Sequence, residues 1–329
     1  MKFLSSLLLS GALLMSVSCT GKATNNAAEA EAAADSIPTV YYIKDITPEN
    51  LVKVYEALGR KAEGDKIGIK ISTGESEKSN HLDTALIADL VRVINGTFIE
   101  CNTAYAGNRN TTEAHIKAAK DHGFTDLAGV DIMDADGEME IPVTGGKHLT
   151  KDIVGKHLAD YDFIVVLSHF KGHAMGGFGG ALKNISIGIA SSNGKAYIHS
   201  AGKIENADSI WRHIAEQPDF LESMAEAAKA VIDYTGDRIL YINVANRLSV
   251  DCDCDGNPHA PEMGDLGVFA SLDPVALDRA CVDMVFNSTD PGKEALIERI
   301  NSRQGMITLT HAEELGLGSQ KYRLVTIEE

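Results

Sequence analysis

Residues 163–184 read FIVVLSHFKGHAMGGFGGALKN. Phe163 to Leu167 form an unbroken apolar run with the length and branching of a strand buried on both faces. A glycine-rich segment follows at once. In open α/β sheets the loops leaving the carboxyl ends of strands are where ligands bind. Gly176, Gly177, Gly179 and Gly180 allow close backbone approach and are expected to turn N–H groups inward as an anion cradle. His169, Lys171, His173, Lys183 and Asn184 would then converge cationic, proton-transferring and hydrogen-bonding groups on that cradle.

Working outward, short apolar runs alternate with helical periods. Strands are expected at 67–71, 97–100, 239–244 and 266–269, and helices at 81–94, 111–122, 208–234 and 273–286. Thr112 is a plausible cap for the second helix, and Asp273 followed by Pro274 suits the start of the last. The alternation predicts an α/β fold with a largely parallel sheet and flanking helices over residues 38–329, with room for two lobes. Trp211 falls on a helical pattern and reads as packing. Cys101 and Cys281 read as small buried hydrophobes.

Composition narrows the function. The 329 residues carry 47 acidic and 30 basic side chains, a formal charge of −17, which argues against nucleic acid as a partner. Hydrophobic residues at 44% exclude wholesale disorder, and five cysteines are too few for a disulfide scaffold. Residues 1–18 read as a signal peptide: Lys2, then an apolar run too short to span a bilayer, then small residues before Cys19. Cys19 is the expected lipidation site and residues 19–37 the polar, alanine-rich tether. The protein is therefore expected outside the cytoplasm, at the periplasm or cell surface, touching a bacterial membrane only through its lipid.

A second chemical signal is Asp251-Cys252-Asp253-Cys254-Asp255-Gly256, which ends at Glu262 in the literal pattern of a calcium loop. The strand expected before it, and Pro258 and Pro261 within it, oppose a helix–loop–helix hand. Asp251, Asp253 and Asp255 suit a hard ion, and Cys252 and Cys254 a soft ion or a redox role. A disulfide between cysteines two apart is expected to be disfavoured on geometric grounds. A solvated acidic turn is the remaining reading.

The segment SHFKGHAMGGFGGALKN, with Gly188, Gly194-Lys195 and His199, resembles the domain-of-unknown-function family numbered 362. Residues 101–124, CDCDG at 252–256, SLDPVALDRACVDMV at 271–285 and HAEELGLGSQKYRLV at 311–325 fit the same family. Its members are often labelled iron–sulfur center proteins. Many carry a ferredoxin-like cysteine insert after the histidine that matches His199. Residues 200–240 here contain no cysteine, so no ferredoxin-type cluster is expected.

His173, Gly177-Phe178, Gly180, Lys183 and His199 are also similar in order and spacing to the core of the lactate racemase family. Lys183 lies ten residues after His173, and His199 sixteen after Lys183. The resemblance implies His173 as proton acceptor and donor, Lys183 as the anchor of a nickel-pincer nucleotide, and His199 as a nickel ligand. Asn108, beside Arg109, stands where that family has a second acid/base histidine, which speaks against two-base racemisation. Export of an unfolded chain also argues against a cofactor loaded in the cytoplasm.

Together these features predict a site for a small anionic metabolite. His173, Lys183 and His199 would be catalytic in racemase- or isomerase-like proton transfer, and Asn108 and Arg109 would be ligand contacts. The residues leave the metal open between zinc, iron, calcium and nickel. They also leave open a metabolite- or metal-binding protein without catalysis, or a cluster-less relative of an electron-transfer protein.

Overall fold

The alternation along Phe163–Leu167 sends side chains to opposite faces of one sheet. Ile164 and Val166 enter one hydrophobic core; Phe163, Val165 and Leu167 enter the other. A computed structural model describes residues 37–328, so the expected signal peptide, Cys19 and nearly all of the tether lie outside the described residues. No described helix is long and apolar enough to cross a membrane.

The central sheet has eight strands. In chain order they are β1 (Thr39–Ile43), β2 (Ile67–Lys70), β3 (Thr97–Glu100), β4 (Val130–Ile132), β7 (Phe163–His169), β10 (Ile239–Ala245), β11 (Gly267–Ser271) and β12 (Arg323–Thr326). Their spatial order is β12-β1-β11-β10-β7-β2-β3-β4. The run from β10 to β4 is parallel throughout; β11 is antiparallel to both its neighbours, and β1 and β12 pair in parallel. The fold is thus α/β with a mostly parallel sheet between two cores. Outside it lie two hairpins, β5 (Glu138–Pro142) with β6 (Lys151–Gly155), and β8 (Lys171–His173) with β9 (Gly177–Gly179).

The helices are α1 (Pro48–Ala57), α2 (Thr84–Ile94), α3 (Thr112–Asp121), α4 (Ala181–Ser186), α5 (Ser192–His199), α6 (Gln217–Thr235), α7 (Pro274–Asn287), α8 (Lys293–Ser302) and α9 (Met306–Glu314). Side chains set several starts: Asp83 caps α2 and Asp273 caps α7, while Thr111 rather than Thr112 caps α3. The single helix expected over 208–234 is two elements. A short 3-10 helix at Ala207–Arg212 ends before Pro218 opens α6.

Sheet order opens a crevice at one end of the sheet. From β2 the chain proceeds through β3 to β4 on one side, then returns to β7 on the other side of β2 and on to β10. β2 and β7 therefore flank a topological switch point, where carboxyl-end loops part and leave a crevice.

Candidate functional site

A cavity of about 630 Å³ fills that crevice. Its walls are the ends of four parallel strands: Lys70 and Ser72 at β2, Glu100 and Thr103 at β3, Ser168 and His169 at β7, and residues 251–256 beyond β10. His173, Lys183 and His199 line it too, as do Lys195, Asn184 and Arg109. Met175, Ile187 and Ile210 supply apolar surface. Trp211 also lines the cavity and is 60% exposed, so it sits at the opening and is not the packing residue its helical pattern suggested.

Among the described residues, Lys70, Lys183 and Lys195 have no carboxylate within ion-pair distance. Lys70 is buried; its ammonium donates to the Ile71 carbonyl (2.7 Å) and to Asn184 Oδ1 (3.0 Å). Asn184 in turn donates to Ser168 Oγ at 3.1 Å, tying the end of β7 to Lys70. Gly188 leaves room for this lysine, since a Cβ there would lie 2.8 Å from Lys70 Cε. Lys195, also buried, donates to the Ala190 carbonyl (2.5 Å). Burial lowers the ammonium of Lys70 to about 8. Burial, with Lys171, Arg109 and Lys70 nearby, lowers that of Lys183 to about 7.

The two histidines are held in different tautomers. His199 Nδ1 donates to the Lys195 carbonyl at 2.6 Å, leaving the Nε2 lone pair free. Its ring stacks on Phe220, and burial lowers its pKa to about 4, so it is neutral near pH 7. His173 Nδ1 instead accepts the Gly176 N–H at 2.8 Å, which puts the proton of the neutral ring on Nε2, 4.0 Å from Cys254 Sγ. Burial and then the charges of Lys183, His199, Arg299 and Lys171 hold His173 well below its ordinary value.

Gly179 and Gly180 of the glycine-rich segment line the cavity, but several of the segment's N–H groups are engaged within the protein. Gly177 and Gly179 are in the β8–β9 hairpin, and the Gly176 N–H is engaged by His173. At the start of α4, the Ala181 and Leu182 N–H groups go to the Asp278 carboxylate at 2.7 and 3.0 Å. Gly180 makes that approach possible, because a Cβ there would lie 2.3 Å from Asp278 Oδ1. The cavity wall carries positively charged lysine side chains instead.

His169 and Lys171 are likewise turned inward. His169 Nε2 donates to the Asn246 carbonyl (2.6 Å), its Nδ1 accepts from Lys171 (2.6 Å), and Lys171 pairs with Asp253. Arg109 lies between Glu75 (3.0 Å) and Glu100 (3.2 Å), both buried. The exposed Asn108 donates its side-chain amide to the Glu75 carbonyl (2.9 Å). Burial opposes ionisation of Glu100, yet His115 and Arg109 hold its carboxyl well below the usual range. These groups brace the site.

The 251–256 loop also departs from expectation. β10 and β11 flank it, so it is no calcium hand. Asp251 pairs with Arg299 (3.1 Å) and His259 (2.6 Å), and Asp255 is exposed. Cys252 and Cys254 are bonded as a disulfide, the pairing that the geometric argument disfavoured, and in this form their sulfurs offer no thiolate to a soft ion. A Cα–Cα separation of 5.2 Å, inside the usual disulfide range, makes the bridge possible.

Lys70, Lys195, Glu75 and Glu100 were not expected in the site. Lys70 was visible as the one charge within Ile67–Ile71, an apolar strand with no exposed face to excuse it. Glu75 carried no such signal, because its partner Arg109 is 34 residues away, and Glu100 reads only as the end of a short strand.

Residues 67–283 match the family described as a domain of unknown function, DUF362. The chain belongs to that family. No curated protein matches it. Among solved structures, it is similar to the lactate racemase apoprotein from Thermoanaerobacterium thermosaccharolyticum, at 21% identity and a TM-score of 0.37, covering 62% of this chain and 50% of that one. A structural-genomics target protein from Thermotoga maritima is similar at 12% identity and a TM-score of 0.41, covering 77% and 58%. The chain thus spans about half the length of the first of these.

Proposed function

We propose that the cavity binds a small organic anion and exchanges a proton at the carbon beside its carboxylate or carbonyl, as an isomerase or racemase would. The observation that carries this reading is the set of three lysines, Lys70, Lys183 and Lys195, lining one cavity with no carboxylate partner among the described residues. Buried positive charge without a counter-ion is costly, and an anionic ligand relieves that cost. Met175, Ile187 and Trp211 would accept the apolar part of the molecule.

His199 is the base in this scheme, because its Nε2 lone pair is free and its Nδ1–H is fixed. Charge developing on the substrate oxygen would be stabilised by the lysines. His173 presents Nε2–H and serves as a donor. If a metal belongs to the site, His199 is the side chain that offers it a lone pair. The protein would work outside the cytoplasm, held to a membrane by lipid on Cys19, as a family member without a ferredoxin-type cluster.

Trp211 is the chain's single tryptophan, so its emission reports ligand entry. Titration with a panel of short hydroxy- and keto-carboxylates should find a binder. Lys183→Ala should weaken it by about tenfold or more, the loss expected for one charged hydrogen bond. His199→Gln should retain binding but stop deuterium exchange at the adjacent carbon, followed by NMR in heavy water. Unchanged affinity in Lys183→Ala would remove that lysine from the site, and exchange unaffected by His199→Gln would remove the base.

A further inference from the structure

We propose that Cys252 and Cys254 are a reversible redox centre in the cavity, exchanging with small disulfides and dithiols. The proposal does not rest on the anion site or on proton transfer. Both cysteines line the cavity. Cys254 is half-buried and Cys252 only 6% exposed, so Cys254 is the sulfur an incoming disulfide meets and Cys252 the one that resolves.

The surroundings favour a thiolate at Cys254. His173 Nε2–H faces its sulfur at 4.0 Å, with Nδ1 fixed by the Gly176 N–H. Lys171, Lys183 and Arg299 act on the same imidazole from around it. Of the neighbouring carboxylates, Asp253 is paired with Lys171 and Asp251 with Arg299 and His259, while Asp255 is exposed to solvent. A thiolate that accepts such a donor is the nucleophile of disulfide exchange.

The loop is also anchored on both sides of the sulfurs, which keeps them together after reduction. The Glu75 N–H donates to the Asp253 carbonyl (2.9 Å) and Arg299 to the Val250 carbonyl (2.6 Å). Ser79 Oγ donates to the Asp255 carbonyl (2.8 Å) and Ser76 Oγ to that of Gly256 (2.7 Å). The other described cysteines do not compete. Cys101 and Cys281 are buried, and burial pushes both thiols up.

In the reducing direction, the Cys254 thiolate attacks one sulfur of a disulfide RSSR. The S–S bond breaks and RS⁻ leaves, taking up a proton. Cys252 then loses its proton and attacks Cys254 Sγ in the mixed disulfide, releasing a second RSH. The sum is protein dithiol plus RSSR giving protein disulfide plus two RSH. An external dithiol returns the protein to its reduced state by the reverse steps.

The test uses the full chain, reduced natively with dithiothreitol, freed of reductant and mixed with oxidised glutathione. Mass spectrometry after alkylation should show Cys252 and Cys254 liberated together while Cys101 and Cys281 stay protected, and glutathione should restore the bridge. Cys252→Ser should trap a glutathione adduct on Cys254. Cys254→Ser should form adduct about tenfold or more slowly, as expected when the accessible nucleophile is removed. His173→Asn should slow exchange and move the rise in rate to higher pH, a change that loosened packing alone would not produce. The proposal is overturned if Cys252 and Cys254 are released only on unfolding, a readout that needs no variant to fold. It is equally overturned if folded Cys252→Ser, checked by circular dichroism, forms no adduct.

Discussion

An ammonium group surrounded by protein and denied a carboxylate is an unstable choice unless something supplies the missing charge. Lys70 is in that position and Lys183 is half-buried on the same cavity wall; burial lowers them to about 8 and about 7. An anion binds their protonated forms, so affinity should be greatest below pH 7. It should fall as pH rises through 7 to 8 and both groups lose their protons. Titration of Trp211 emission across that interval checks the direction, and affinity independent of pH would show that neither lysine meets the ligand. Lys70 was readable in advance as a charge out of place in an apolar strand. The role of Arg109 was not: its neighbours in sequence suggested a ligand contact, whereas Glu75, in the loop after β2, and Glu100, at the end of β3, take up its guanidinium.

At the scale of elements, the segment after β7 shows why a glycine-rich sequence is ambiguous. The same residue type that lets a backbone approach a ligand also lets it approach another backbone. Gly172 does the latter: its N–H donates to the Ser249 carbonyl (2.8 Å), and a Cβ there would lie 2.3 Å from the Val250 carbonyl oxygen. Gly179 has open space by comparison, with only Lys183 Cδ at 3.8 Å. Gly172→Ala should therefore destabilise the protein by about 1–3 kcal/mol, the range for overpacking. Gly179→Ala should melt like the parent. Equal melting of the two in calorimetry would refute this docking of β8 on the 249–250 backbone. The place of the cavity after β7 was legible from strand followed by loop. The destination of its N–H groups was not, because Asp278, on α7, is 97 residues from Ala181.

For the molecule as a whole, stability against pH is a contest between buried groups of opposite tendency. His81 and His199 are lowered to about 4 by burial, so folding weakens as pH falls from their ordinary 6.5 towards 4. Asp152 and Asp278 are raised by burial to about 7 and about 6, and their contributions are present at low pH and lost as pH rises through those values. Asp152 is fully buried, and neither carboxylate oxygen has a hydrogen-bond partner among the described residues. Asp152→Asn should raise the melting temperature above pH 7, with the gain shrinking as pH falls towards 4. A gain that does not change with pH would show that its charge is not the cause. The α/β class and the parallel strands were legible because apolar runs and helical periods are local signals. The edge was not. Arg323–Thr326 is largely exposed and lacks the apolar run that betrayed the central strands. Yet it is the outer neighbour of β1, whose inner neighbour is β11. During synthesis the first strand of this sheet is therefore made more than two hundred residues ahead of either partner, and it must wait for them before it can pair.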